Sequence, residues 1–493
     1  MTNATDRATE PLMTSAAADS TPAEVNAACS AAAGAAAGLG ESLRSERSAF
    51  LHELANELDR DREAIEGAAA IETSLSASRL SAEMTRAVNQ ARLFADVLDD
   101  GGYLEATIDH ATSTTPDTRL TRIPLGPVAV FGASNFPLAF GVPGGDTVSA
   151  LAAGCPVVVK GHPGHPHTSR LAFEAIQRAA TTSGMPPGTI ALVTGIEAGR
   201  SLVLDSHIQA VGFTGSTPAG RILFDLASSR PSPIPFYGEL GSLNPVVVTA
   251  AAALARTPGI AATLASSISS SAGQLCTKPG LIFIPYGAGD ALVAALAELL
   301  AAVPALTMLN DGIQQRFTQS VEGWTAAEAV SVLVDRTHRG SAGPHLTSVD
   351  IGRLSGPLLE EAFGPAAVIV RYDTQEQVVA ALQSVGGQLT TSLLFEEAEA
   401  AELGSIARAM KGRSGRLVFN DIPTGVAVSW SMTHGGPYPA TTNSAHTSVG
   451  SAAIKRWLRP VTYQNAPETV LPPELREASR GIPRRINGSL TTS

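Results

Sequence analysis

Cysteine is scarce in this chain: three in 493 residues, Cys29, Cys155 and Cys276. They are too few and too scattered for a disulfide framework, and no two have metal-ligand spacing, so neither a stapled fold nor a structural metal is expected. A reducing, cytoplasmic setting fits best. Aromatic residues make up only 5%, so the core must be packed mainly from Ala, Val, Leu and Ile. Positive charge is in deficit, with a net charge of −11, and no basic stripe is interleaved with aromatics, which argues against a nucleic-acid partner. No uninterrupted apolar run reaches the ~18 residues of a membrane span. Met1 to Ser20 is polar, lacks the apolar core of a secretion signal, and reads as disordered.

The rest of the chain is long enough for roughly two or three domains of ~150 residues. From Thr21 to Leu98 the pattern is helical; between Ser48 and Asp59, for example, Leu51, Leu54 and Leu58 share one face. Thr107 to Arg122 is Thr-rich and reads as extended. Apolar strands then alternate with amphipathic helices. Gly126–Phe131, Pro156–Lys160, Ile190–Thr194 and Ile208–Phe213 read as strands. Thr168–Ser183, Gly195–Leu204 and Thr217–Ser228 read as helices, and Asp146 or Thr147 is the expected cap of a helix ended by Gly154. Such alternation predicts a parallel, doubly wound α/β sheet. A second set of units begins near Pro245, with strands at Leu281–Ile284, Ala367–Arg371 and Leu417–Asn420.

Three residues in small-residue turns form a chemical set. Cys276 stands in Gly273-Gln-Leu-Cys276, Glu239 in Tyr237-Gly-Glu239-Leu-Gly241, and Asn135 in Asn135-Phe-Pro. A thiol can attack a carbonyl, an amide can steady the oxyanion, and a carboxylate can activate water. As a base, the carboxylate is best served by a pKa raised toward 7. Gly212-Phe-Thr-Gly215-Ser216 follows a strand and opens a helix, where backbone can approach a phosphate. Lys160 ends a strand and is followed by His162. No Asp or Glu lies between Gly161 and His167 to grip a ribose 2′-hydroxyl, which leaves room for NADP. His434, in His434-Gly-Gly-Pro, is expected to order its loop and is given no chemical role.

These motifs, with Glu360-Glu361-Ala-Phe363-Gly-Pro, occur in the order found in the aldehyde dehydrogenase superfamily, which the chain resembles from about Pro124 to Tyr463. Asn135 to Thr147 and His434 to Asn443 resemble the branch of 2-oxoglutarate semialdehyde and NADP-preferring fatty aldehyde dehydrogenases. The resemblance implies a Rossmann-like cofactor domain (21–244), an α/β catalytic domain (245–448) and a small β extension that pairs subunits. The extension would use 107–122 and the segment from 449 to 493, in a homodimer or homotetramer. It implies Cys276 as nucleophile, Glu239 as base and Asn135 as oxyanion donor. Lys160 would contact the adenosine ribose, Ser216 the pyrophosphate, and Glu361 and Phe363 the nicotinamide riboside. Many NAD-using members carry a glutamate where this chain has Pro163, so NADP is the expected cofactor, with NAD possible.

The substrate stays open at this level between a short carboxylate-bearing semialdehyde and a medium- or long-chain aldehyde. A cationic group in the tunnel favours the first and an all-apolar tunnel the second. An inactive binding protein of the same fold is disfavoured because Cys276, Glu239 and Asn135 are all retained. An acylating reductase is disfavoured because Glu239, the expected deacylation base, is present.

Overall fold

The computed structural model describes residues 19–337 and 342–492. Most of the N-terminal segment read as disordered therefore lies outside the described residues. Its last two residues are ordered: the Ser20 N–H donates to the Thr194 carbonyl at 2.9 Å. Four helices follow, Pro22–Glu41, Arg44–Arg60, Arg62–Thr73 and Ala77–Asp100. The first has a reciprocal Thr21/Glu24 capping box and the fourth is capped by Ser76, each cap satisfying an N–H the helix cannot.

The first sheet has five parallel strands in the order Ile190–Val193, Val157–Lys160, Val128–Phe131, Ala210–Thr214, Phe236–Glu239. The chain starts in the middle, runs to one edge, then crosses to the other side. The crevice beyond the carboxyl ends of strands at such a reversal is where ligands bind in open α/β sheets. Lys160 and Glu239 are the last residues of their strands, Gly215 and Ser216 follow Thr214, and Asn135 follows Phe131. The helix Gly145–Ala153 ends at Gly154, φ +90°, as expected, but neither Asp146 nor Thr147 caps its start. The cap is Gly144; the Asp146 carboxylate instead meets Arg456 Nη2 at 2.7 Å in a buried ion pair.

The second sheet has seven strands, ordered Ser331–Asp335, His345–Asp350, Ala366–Tyr372, Leu281–Pro285, Val246–Val248, Gln388–Leu394, Ser414–Phe419. All pair in parallel except the first two. Apolar clusters cover both its faces, as a parallel sheet requires.

In the third sheet Thr118–Pro124 pairs antiparallel with Leu458–Gln464 and with Thr107–Asp109. The tail adds two strands that the sequence reading did not anticipate, Arg484–Ile486 and Ser489–Thr491; three residues each are too short to show a period-2 pattern. Among the described residues no helix is long and apolar enough to cross a membrane.

Candidate active site

Cys276 sits between a strained turn and a strand. Ser271, Ala272 and Gly273 all have positive φ, +50°, +53° and +66°. A Cβ on Gly273 would lie 2.2 Å from the Gly364 carbonyl oxygen. Left-handed backbone at two non-glycine residues costs energy that the surroundings must supply. They do so by hydrogen bonds: Arg79 donates to Ser271 Oγ and, at 3.1 Å, to the Asn135 carbonyl. On the other side Asn244 Nδ2 donates to the carbonyls of Cys276 and Lys278, at 2.8 and 3.0 Å.

Asn135 is held by the helix Ala77–Asp100. Glu83 Oε1 accepts the N–H groups of Leu138 and Ala139 at 2.8 and 3.0 Å, clamping the turn that follows Asn135. Asn135 Nδ2 donates to the Gln274 carbonyl at 2.9 Å. An amide nitrogen carries two hydrogens, so one remains for a ligand.

Glu239 and Cys276 do not meet directly. Between them stands His434, 1% exposed, with Nε2 3.4 Å from Cys276 Sγ and 2.9 Å from Glu239 Oε1. This corrects the expectation that His434 merely orders its loop. It does order the loop through its backbone, since Thr447 Oγ1 accepts its N–H at 2.8 Å and its carbonyl accepts from Ser448, but its ring joins the thiol to the carboxylate. Nε2 carries a single hydrogen and so can serve only one neighbour at a time; the contact with Oε1 is close but lacks hydrogen-bond alignment, and Nδ1 is buried with no partner among the described residues. Ser448 Oγ donates to the other carboxylate oxygen, Oε2.

Electrostatics follow from this contact. Burial disfavours a charged imidazole, yet Glu239 and Cys276 beside it outweigh burial and push His434 up to about 10. Burial likewise opposes a charged Glu239, but His434, Ser448 and Arg456 together hold it below the usual carboxylate value. The expectation of a carboxylate raised toward 7 is thereby reversed, because the sequence did not show the imidazole at its side. The donor atoms of Glu239, Cys276 and His434 lie within 4.8 Å of one another. Thiol, imidazole and carboxylate are also a zinc donor set; here Cys276 Sγ and His434 Nε2 face each other and Glu239 Oε2 accepts from Ser448.

The residues expected to hold a dinucleotide divide into two groups. Gly215 and Ser216 are exposed at the head of the helix Thr217–Ser229, and Ser216 makes no side-chain cap. The Gly215 N–H already donates to the Glu239 carbonyl at 3.1 Å; the Ser216 hydroxyl and the N–H groups of the first helical turn are what a pyrophosphate would meet here. Glu361 lies over Gly241, whose Cβ, if present, would come 2.6 Å from Glu361 Oε2. Burial raises the Glu361 carboxyl against the opposing pull of Lys278. Phe363 follows, partly buried against the core of the second sheet.

Two other residues behave differently from expectation. Gly212 is buried in mid-strand, where a Cβ would lie 2.8 Å from Asp146 Oδ2 and 2.9 Å from Trp457; its lack of a side chain serves packing. His162 Nδ1 accepts the Gly164 N–H at 3.0 Å and its ring stacks on His165. Burial, with His165 and Lys160 adding to it, lowers His162 to about 3, so it offers no positive charge to a 2′-phosphate.

An acid that the local sequence lacked is also present. A Cβ on Gly195 would lie 2.8 Å from Asp19 Oδ1, and one on Gly199 would lie 3.8 Å from Lys160 Cγ and Cε. Asp19 and Lys160 thus lie over successive turns at the head of the helix Ile196–Leu204. Burial lowers Lys160, and Asp19 opposes it.

Comparison with known proteins agrees with this geometry. The aldehyde dehydrogenase family model matches residues 3–459. The chain is 40% identical over 481 residues to an alpha-ketoglutaric semialdehyde dehydrogenase of Acinetobacter baylyi, covering 95% of this chain and 91% of that one. It is 41% identical over 486 residues to alpha-ketoglutaric semialdehyde dehydrogenase 2 of Azospirillum brasilense, covering 94% and 91%. The structure superimposes on a 1-pyrroline-5-carboxylate dehydrogenase from Thermus with bound NAD, with a TM-score of 0.78 at 21% identity, over 91% of this chain and 86% of that one; that likeness speaks for the fold alone. A family match over this span, with two-fifths of the residues shared along nearly the whole chain, makes the protein an enzyme of the aldehyde dehydrogenase family.

Proposed function

We propose that the enzyme oxidises 2-oxoglutarate semialdehyde to 2-oxoglutarate through a thioester on Cys276. The observation that carries the chemistry is the His434 ring, in contact with both the Cys276 thiol and the Glu239 carboxylate. The substrate is drawn from the two relatives that share two-fifths of this chain.

In this reading Cys276 Sγ attacks the aldehyde carbon as a thiolate, its charge balanced by the protonated His434 ring beside it. The second Asn135 Nδ2 hydrogen and the Cys276 N–H hold the oxyanion, each such donor being worth roughly 3 kcal/mol. A bound nicotinamide supplies the acceptor for the hydride. Water then attacks the thioester, and its proton passes to the Glu239 carboxylate, whose far oxygen is held by Ser448. The cofactor-binding part is residues 21–244 and the catalytic part 245–448, acting in a reducing cytoplasm that keeps the thiol free.

A medium- or long-chain aldehyde remains the alternative substrate, favoured by the apolar wall that Phe136, Phe140, Val426, Val428 and Met432 form near the site. A panel of semialdehyde, hexanal and decanal, each run with NAD and NADP, tests both readings. Preference for decanal by kcat/KM would replace the proposed substrate.

NADP is proposed to serve at least as well as NAD. Lys160 supports it, while Asp19 opposes a 2′-phosphate by like charge. Asp19→Asn should raise the NADP-to-NAD ratio of kcat/KM by roughly three- to tenfold, and Pro163→Glu should lower it about tenfold, each tenfold being ~1.4 kcal/mol. A wild-type enzyme that ignores NADP would overturn this part.

The assembly is proposed to be a homodimer or a dimer of dimers, built on the third sheet. The strand Leu458–Gln464 is an edge of that sheet and so presents unpaired backbone groups. Sedimentation at micromolar concentration should show no stable monomer.

A further inference from the structure

The helix Ala77–Asp100 brings two arginines toward the active site, and a third comes from the strand Ser414–Phe419. Two of the three are committed. Arg79 donates to Ser271 Oγ and to the Asn135 carbonyl, stacks over Phe136 and pairs with Glu83. Arg416 donates to the carbonyls of Gly425 and Pro423. Arg416 keeps a buried Nε without a partner among the described residues, but both its Nη groups are engaged; Arg86 differs in that Nε and Nη2, one whole edge of its guanidinium, are buried with no acceptor among the described residues. Leaving guanidinium N–H groups buried and unpaired is costly, so a built-in arginine of this kind points to a ligand that completes it.

Its surroundings place that ligand. The Arg86 guanidinium lies 5.2 Å from the centre of the Phe140 ring, and that ring lies 6.5 Å from the ring of His434. Phe140 belongs to the apolar wall with Phe136, Val426 and Met432. Among the charged groups that act on Arg86, Cys276 is the strongest, ahead of Glu83 and Glu239. An aldehyde held at Cys276 would therefore lay its methylenes against an apolar wall and its far end toward a cation. Nε and Nη2 share one edge of the guanidinium, the edge that takes both oxygens of a carboxylate side-on.

We propose that Arg86 is the receptor for the substrate carboxylate, making the enzyme selective for short aldehydes that end in an anionic group. This rests on the semialdehyde reading above and deepens it. Glu83, three residues earlier, is tied to the Asn135 turn, so one helix face would align both ends of the substrate.

The test compares wild type with Arg86→Met and Arg86→Lys on 2-oxoglutarate semialdehyde and on pentanal, an uncharged aldehyde of equal carbon count. Glutarate serves as a competing dicarboxylate, and retained NADP binding reports folding. For Arg86→Met, kcat/KM on the semialdehyde should fall roughly a hundredfold, chiefly through KM, with pentanal changed less than about threefold. Arg86→Lys should recover part of the loss, because it restores charge without the fork. Inhibition by glutarate should weaken in step. Equal losses on both aldehydes would make Arg86 structural and overturn the assignment, as would an unchanged rate on the semialdehyde. If wild type shows no preference for the semialdehyde over pentanal, the substrate reading falls. Glutarate then judges Arg86 alone: weaker inhibition of Arg86→Met upholds the carboxylate site, and unchanged inhibition overturns it.

Discussion

Cys276→Ala is expected to lower aldehyde oxidation by at least ~10⁴-fold, because no other group can form the thioester. The thiol is not a packing residue: its carbonyl is held by Asn244 and its Sγ faces His434, while the strand that follows is anchored separately by its own pairing. The variant should therefore fold and still bind cofactor, as thermal shift with NADP can show. Near-normal turnover would end the mechanism.

The second large effect separates His434 from Glu239. If the protonated His434 ring balances the charge of the attacking sulfur, His434→Gln should slow the first release of reduced cofactor roughly a hundredfold or more, because that charge is then left unbalanced in a buried site. If Glu239 acts on water, Glu239→Gln should leave that first release as a burst. Steady turnover should then fall by ~10²- to 10⁴-fold, because the thioester waits for its base. Stopped-flow absorbance of the reduced nicotinamide reads both phases in one trace. A Glu239→Gln enzyme without a burst would mean that the carboxylate already acts through His434 when the thiol is activated.

Much of the fold was legible because it rests on local signals. Apolar four-residue strands such as Val157–Lys160 stand out from the helices around them, and Gly154 marks a helix end by its positive φ. Cys276, Glu239 and Asn135 were legible as chemical groups in tight turns. Their connection was not. His434 is 158 residues from Cys276 and sits in a Gly-Gly-Pro loop with no periodicity to say where its ring points. Asp19 reaches Gly195 across the chain, so the residues that follow Lys160 hold no sign of this acid. Arg86 reads in sequence as one more charged residue on a helix; only three-dimensional packing shows that two of its N–H groups are buried with no acceptor among the described residues. Gly212 and His162 looked like ligand-facing residues, yet Trp457 and Asp146 crowd the first, and the second is turned inward onto Gly164 and His165.

The thioester on Cys276 is tested most directly by rapid quenching of Glu239→Gln after mixing with 2-oxoglutarate semialdehyde and NADP, followed by peptide mass spectrometry. A 2-oxoglutaryl group is expected on the peptide containing Cys276, in amount equal to the reduced cofactor released in the burst. Reduced cofactor without an acyl group on that peptide, or an acyl group on another residue, would contradict the thioester.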